Sequence, residues 1–182
     1  MRVTTAFKRL LRLPGVNVTG VEFGERRVLV TVGLRRRRLV CPLCSFSTSA
    51  RYDSRPVDSW WRHLDLGTWR LVVRARLRRL VCPDHGVRTE GVPFGRAGAR
   101  FTRDFEDLVA WLAVKTDRSA IGELCRVAWR TVGAICERVC ADELDGGRLE
   151  ELFDIGVDEI SWRKHHHYLT LVANHATGKI VW

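Results

Sequence analysis

The sequence has no apolar run near the ~20 residues a membrane-spanning helix requires, although 46% of its 182 residues are hydrophobic. Its opening, MRVTTAFKRLLRLPG, has neither the apolar core nor the small-residue cleavage site of a secretory leader. These absences exclude a helical membrane protein and predict an intracellular one. Lysine is scarce as well: 27 of the 31 basic residues are arginine. A GC-rich genome favours Arg over Lys for no functional reason, so that preference carries no argument. The placement of charge does. Residues 1–100 hold 7 acidic residues against 21 basic ones, a net of +14, whereas residues 101–182 hold 14 against 10, a net of −4. A strongly basic half joined to a mildly acidic one predicts a polyanion-binding portion attached to something that works differently.

Six cysteines are present, and four positions are spaced as Cys41-x-x-Cys44 and Cys82-x-x-His85. Zinc takes four soft or borderline ligands in a tetrahedron, and two such knuckles supply them when tight turns aim each pair at one ion. Pro42, Pro83 and Gly86 give the knuckles their turn chemistry. The alternative is two unrelated pairs buried as small apolar groups. With all four positions filled, the pattern favours a closed, structural Zn²⁺ site of Cys41, Cys44, Cys82 and His85. It also suits a reducing compartment better than a disulfide scaffold.

The periodicity predicts an amphipathic helix over 4–12, ended by Pro14-Gly15, and a β-hairpin from Val18 to Val32 around Gly24-Glu25. Trp69 to Val81 alternates Arg with apolar residues and reads as one strand running into the second knuckle. Residues 86–100, rich in Gly and Arg without a period, read as a linker. Phe101, Phe105, Leu108, Val109 and Leu112 then recur at helical spacing, with Thr102 as N-cap. A short helix from Ser119 to Cys125, a break at Arg126-Val127-Ala128 and a longer helix from Trp129 complete a helix-turn-helix pattern; a plain three-helix bundle is the alternative. Trp60, Trp61 and Trp111 read as core residues, as do Cys136 and Cys140, which share the stripe of the last helix. Arg35, Arg36, Arg37, Arg38, Arg78 and Arg79 are expected to meet phosphates, and Trp129, Arg130 and Thr131 to face a DNA major groove. Beyond Gly146-Gly147, Leu152–Ile160 and Tyr168–Ala173 read as strands, with a turn at Thr177-Gly178 and a third strand beginning at Lys179. An RNA-binding zinc module would call for an aromatic stacking signature that the sequence does not show.

The stretch from Asp154 to Val172, DIGVDEISWRKHHHYLTLV, resembles the opening of the catalytic domain of ISL3-family insertion-sequence transposases. The zinc module, with its Arg-Arg-Leu-Val-Cys-Pro approach to the second knuckle, and the helix-turn-helix match that family in the same order. The resemblance implies an α+β chain of several domains: a basic zinc-binding β module over 1–95, a three-helix helix-turn-helix domain over 96–147, and the start of a ribonuclease H-like α/β domain over 148–182. It implies a DDE enzyme in which three carboxylates hold two Mg²⁺ ions for cleavage and strand transfer of DNA, with Asp158 as the first of the three. The other two lie downstream in the family, so the chain alone is expected not to cut or join DNA. Its implied partner is double-stranded DNA at the inverted repeats of an element, bound in the bacterial cytoplasm and nucleoid, with homo-oligomers on the DNA. A non-catalytic DNA-binding regulator of transposition is the competing expectation. His85 replaces a more usual cysteine, Asn174 a common Asp, and His165-His166-His167 resemble the family's basic inter-strand residues more than a metal site.

Overall fold

The computed structural model describes residues 1–144, 147–150, 152–163 and 167–181, and, within them, all side chains except those of 162 and 163. In chain order the elements are α1 (Val3–Leu11), β1 (Val16–Phe23), β2 (Arg27–Leu34), β3 (Leu39–Val40), β4 (Ser47–Thr48), β5 (Asp53–Ser54), β6 (Ser59–Arg62), β7 (Arg70–Ala75), β8 (Arg78–Cys82) and β9 (Gly86–Thr89). They continue with α2 (Arg103–Ala113), α3 (Arg118–Cys125), α4 (Trp129–Glu143), β10 (Ile155–Arg163), β11 (His167–Asn174) and β12 (Lys179–Ile180). Two compact units divide the chain, Met1–Val139 and Cys140–Trp182.

In the first unit the principal sheet has the order β1-β2-β7-β6, with β2 and β7 parallel and the other pairs antiparallel. The expected hairpin is present as β1 and β2, closed by Gly24 donating to the Arg27 carbonyl at 2.9 Å. Alternation sets the buried face: Val28, Val30 and Val32 of β2 lie beside Leu71, Val73 and Ala75 of β7. Phe7 and Leu13 from α1 and its exit, Val16, Trp61 and Phe94 complete this core.

The run from Trp69 to Val81 is two strands, not one. Leu71, Val73, Ala75 and Leu77 are buried on odd positions, but Leu80 and Cys82 are buried on even ones. The two-residue period slips between 77 and 80, so the same face cannot stay buried in one strand. The chain therefore leaves the principal sheet, and β8 joins a second sheet of order β5-β8-β9 that carries the second knuckle.

Residues 86–100 are not a linker either. They begin with β9 and bury Glu90, Phe94 and Arg96. Phe94 meets Trp61 edge-on at 5.1 Å between centroids. Gly95 fits against the same indole, where a Cβ would stand 3.3 Å from Trp61 Nε1. Of the tryptophans expected in the core only Trp61 is buried (7% exposed); Trp60 is 41% exposed and Trp111 58%. Adjacent strand residues face opposite ways, so Trp60 and Trp61 could not share one core.

Helices α2, α3 and α4 pack around Phe105, Val109, Ile121, Cys125, Val132 and Ile135. Thr102 caps α2, accepting from Phe105 N, and Asp117 caps α3, accepting from Ser119 N at 2.8 Å and Ala120 N at 3.0 Å. Cys136 packs at the margin of this cluster, whereas Cys140 is exposed. Glu106 of α2 is fully buried and accepts from Arg138 Nε at 2.9 Å, with Arg96 Nη1 at 3.4 Å. Residue 96 thereby ties the segment before α2 to the helices.

The second unit is an antiparallel sheet of order β10-β11-β12, with Asp158 opposite Leu171. Asn174 closes the β11–β12 turn by accepting from Ala176 N at 2.9 Å and Thr177 N at 3.3 Å. An Asp would do this equally well, so its replacement by Asn has a local account. His165 and His166 lie outside the described residues.

Removing a buried carboxylate that serves two guanidinium groups leaves charge without compensation, at about 3–5 kcal/mol. Glu106→Ala is expected to destabilise the first unit by about that amount in urea unfolding followed by helical circular dichroism. A loss below about 1 kcal/mol would contradict the role given to this cluster.

Candidate metal centre and nucleic-acid interface

The first knuckle is the turn from β3 to β4, closed by Cys41 N donating to the Phe46 carbonyl at 2.9 Å; the second is the turn from β8 to β9. Leu39 and Leu80 form the buried floor between them. The four predicted ligands converge. The donor atoms of Cys41, Cys44, Cys82 and His85 all lie within 4.8 Å of one another. Cys44 Sγ is 3.6 Å from Cys82 Sγ, and His85 Nδ1 is 3.4 Å from Cys82 Sγ and 3.8 Å from Cys41 Sγ. A zinc tetrahedron with metal–sulfur bonds of about 2.3 Å has edges of about 3.8 Å, so the donor set and its spacing fit that ion. His85 offers Nδ1, the ring nitrogen nearer the backbone.

The electrostatics agree. Burial raises the Cys41 thiol pKa, but the Leu43 amide and the neighbouring thiols outweigh it and lower it overall. For Cys82, too, burial is outweighed, by His85 and by the amides of His85 and Asp84. The Phe46 amide pulls Cys44 down, yet desolvation and the sulfurs of Cys82 and Cys41 push it up to about 11. Three crowded thiols cannot all ionise without a cation among them.

The arginines divide into two groups. Arg36 donates to the Gly91 carbonyl, and Arg38 to the Ser47 carbonyl at 2.7 Å. Arg78 grips buried Glu90 through Nε at 2.8 Å and Nη2 at 2.6 Å, and Arg79 grips Asp53 through both Nε and Nη2. These four predicted phosphate contacts hold the knuckle region together. Arg35 and Arg37 are exposed and have no side-chain acceptor among the described residues. The sequence reading missed the counter-ions Glu90 and Asp53. Their signal was scarcity, since two of only seven acids in residues 1–100 sit near paired arginines.

At the helix-turn-helix, Trp129 (56% exposed) and Arg130 stand at the exposed start of α4, with the Arg130 guanidinium 5.9 Å from the Trp129 ring centre, and Thr131 is half-buried. The turn before them is held from outside. Arg126 adopts the left-handed region, φ 54°, which favours glycine. Its side chain donates to Asp65 through Nε at 3.0 Å and through Nη2, and to the Thr68 carbonyl at 3.0 Å. Arg62 donates to the same Asp65 oxygen at 2.8 Å and to the Arg126 carbonyl at 2.8 Å. The β6–β7 connection thus clamps the turn that presents α4. His63 Nδ1 lies 2.7 Å from Thr102 Oγ1, fixing the α2 cap to the same connection. Sequence reasoning did not find this clamp; a non-glycine at the αL position of a tight helix–helix turn was its signal.

Asp158 is exposed on β10, and its carboxylate accepts from Glu159 N at 2.8 Å. The cysteine–histidine cluster is the one group of three or more metal-ligating side chains that converges among the described residues.

Residues 90–140 match the helix-turn-helix domain of transposase family ISL3. Over that stretch the chain is similar to this domain. It is also 49% identical, over 191 aligned positions, to the transposase for insertion sequence element IS1557 from two strains of Mycobacterium tuberculosis, CDC 1551 / Oshkosh and H37Rv. The alignment takes in all of this chain and 43% of the length of each relative. No solved structure matches the chain. The ISL3 match begins inside the segment that reads as a linker and ends within α4. No helix among the described residues is long and apolar enough to cross a membrane.

The purified chain is expected to hold one zinc per molecule, measured by a chromogenic chelator after denaturation. Its affinity should fall as pH is lowered, because the ligands bind as thiolates and neutral imidazole. Cys82→Ala should lose the metal and lower the Tm. Full zinc content in Cys82→Ala would show that the metal sits elsewhere.

Proposed function

We propose that this chain is the DNA-recognition portion of an ISL3-type insertion-sequence transposase. The observation that carries the reading is the helix-turn-helix, with α4 presenting Trp129 and Arg130 at its exposed start. In such motifs the first turn of the second helix meets base edges in the major groove, and an arginine there reads guanine through a bidentate pair. The Trp129 ring beneath the Arg130 guanidinium restricts that side chain and supports such a role. Arg35 and Arg37 supply phosphate contacts, and Zn²⁺ on Cys41, Cys44, Cys82 and His85 keeps their loop in place. The target is the pair of terminal inverted repeats of the element, and two ends favour a homo-oligomer on DNA. The setting is the bacterial cytoplasm and nucleoid. On this reading 1–95, 96–147 and 148–182 are divisions of function, the first carrying the metal cluster, the second the helix-turn-helix and the third the start of the catalytic domain.

The β10-β11-β12 meander with Asp158 on its first strand supports a ribonuclease H-like start. There Asp158 would contribute one carboxylate toward Mg²⁺, which in the complete site supplies charge neutralisation for Mg-dependent DNA cleavage and strand transfer. The described residues bring no second carboxylate into a metal group with Asp158, and a single one does not assemble that site. A second reading, resting on the same helix-turn-helix, is a protein that occupies the repeats and regulates transposition.

In a gel shift, Arg130→Ala is expected to weaken binding to a duplex carrying the element's ends by ~1–3 kcal/mol and to shrink its preference over random duplex. An unchanged preference would remove Arg130 from base reading.

A further inference from the structure

Most arginines on the outer face of the principal sheet have a matched acceptor. Arg74 donates to Glu22 at 2.6 Å and to Thr31 at 2.8 Å, Arg76 to Asp58 at 2.7 Å, and Arg62 to Asp65 at 2.8 Å. At one end of this face the pattern stops. Arg27 and Arg70 are register partners on parallel β2 and β7, on the face opposite Val28 and Leu71, and Arg70 N donates to the Arg26 carbonyl at 3.0 Å. All three side chains are exposed, and none has a protein acceptor among the described residues. Glu25 shares the β1–β2 turn without forming an ion pair to them. Paired strands lie about 4.8 Å apart, and like charges facing each other there are destabilising. An anion placed against them would relieve that repulsion.

The patch is built into the frame of the helix-turn-helix. Arg70 follows the turn Leu66-Gly67-Thr68-Trp69, closed by Leu66 N donating to Trp69 O at 2.9 Å and Trp69 N to Leu66 O at 3.1 Å, with Gly67 at φ 61°. Thr68 is the residue whose carbonyl holds Arg126. Trp69 meets Phe23 edge-on at 6.3 Å, which braces the turn carrying Arg26 against the same loop. From Thr68 to Arg70 the chain covers only about 7 Å. The backbone that carries these three guanidinium groups is thereby joined to the clamp that holds the turn before α4.

We propose that Arg26, Arg27 and Arg70 form a second contact surface for the phosphates of double-stranded DNA, beside the clamped turn. This rests on the helix-turn-helix reading and adds a sequence-independent contact to it. Each neutralised phosphate contributes ~0.9 to the slope of log K against log salt. Three contacts would give a slope loss of up to ~2.7 and binding roughly 10- to 100-fold weaker near 0.15 M salt.

The test titrates the full 182-residue chain with a random-sequence 30-base-pair duplex at several salt concentrations. The Arg26→Ala/Arg27→Ala/Arg70→Ala variant is expected to lose slope and affinity while keeping its zinc and its Tm. The triple lysine variant is expected to keep the slope, because phosphate attraction needs charge, whereas a merely structural role for the guanidinium groups would not be rescued. A wild-type slope in the alanine variant, or equal losses in the lysine variant, would overturn the proposal. Failure of the helix-turn-helix reading has a separate signature, namely no preference for element ends and no effect of Arg130→Ala. A wild-type chain that binds no duplex would overturn both.

Discussion

One carboxylate, that of Asp65, holds two guanidinium groups from distant parts of the sequence. Arg62 belongs to the principal sheet and Arg126 to the turn between α3 and α4, 61 residues apart from Asp65 in the case of Arg126. Charge-assisted bonds of this kind are short and directional. Placed partly out of solvent, they gain more in geometry than in net stability, because desolvation offsets much of the attraction. Geometry is what a helix-turn-helix needs. The turn fixes the angle at which α4 leaves α3, and Arg126 stays in a backbone region costly for any residue but glycine because its side chain is spent on Asp65 and Thr68.

This constraint reorganises the reading of the basic half. A net charge of +14 over residues 1–100 suggests an open cationic surface, yet much of it is internal scaffolding. Arg36, Arg38, Arg78 and Arg79 bind carbonyls or carboxylates around the cysteine–histidine knuckles, and Arg62, Arg74 and Arg76 do the same on or beside the principal sheet. What is left for a polyanion is a smaller set, including Arg35 and Arg37 near the knuckles and Arg26, Arg27 and Arg70 near the clamp. The cysteine–histidine cluster, the clamp and buried Glu106 lie at different places in one compact unit of helices and the sheets before them.

Local signals in the sequence were legible. Knuckle spacing located the four side chains that converge as a group able to hold a metal, and helical periodicity located α2, α3 and α4 with the break at Arg126. The hairpin of β1 and β2 and the strands of the second unit followed from alternation. The ISL3 resemblance stood on the same local features. Long-range pairings were not legible, because nothing in a neighbourhood announces its partner. Glu106 looked like one more exposed acid in the first turn of a helix, and only the fold sets it between Arg96 and Arg138. Residues 86–100 have no period because Phe94, Gly95 and Arg96 each fit a different neighbour. The break between β7 and β8 was readable in principle, since the alternation slips phase between Leu77 and Leu80.

Through Asp65 the principal sheet holds the turn from which α4 starts. The most direct measurement is amide hydrogen exchange across α3, the turn and the first turn of α4, in wild type and in Asp65→Ala, both zinc-loaded. Protection from Gly122 to Thr131 is expected to fall in the variant while the amides around Cys41 and Cys82 keep theirs. Unchanged protection across the turn in a variant that lacks the carboxylate would contradict it, and would make the helix-turn-helix an autonomous domain resting beside the zinc module.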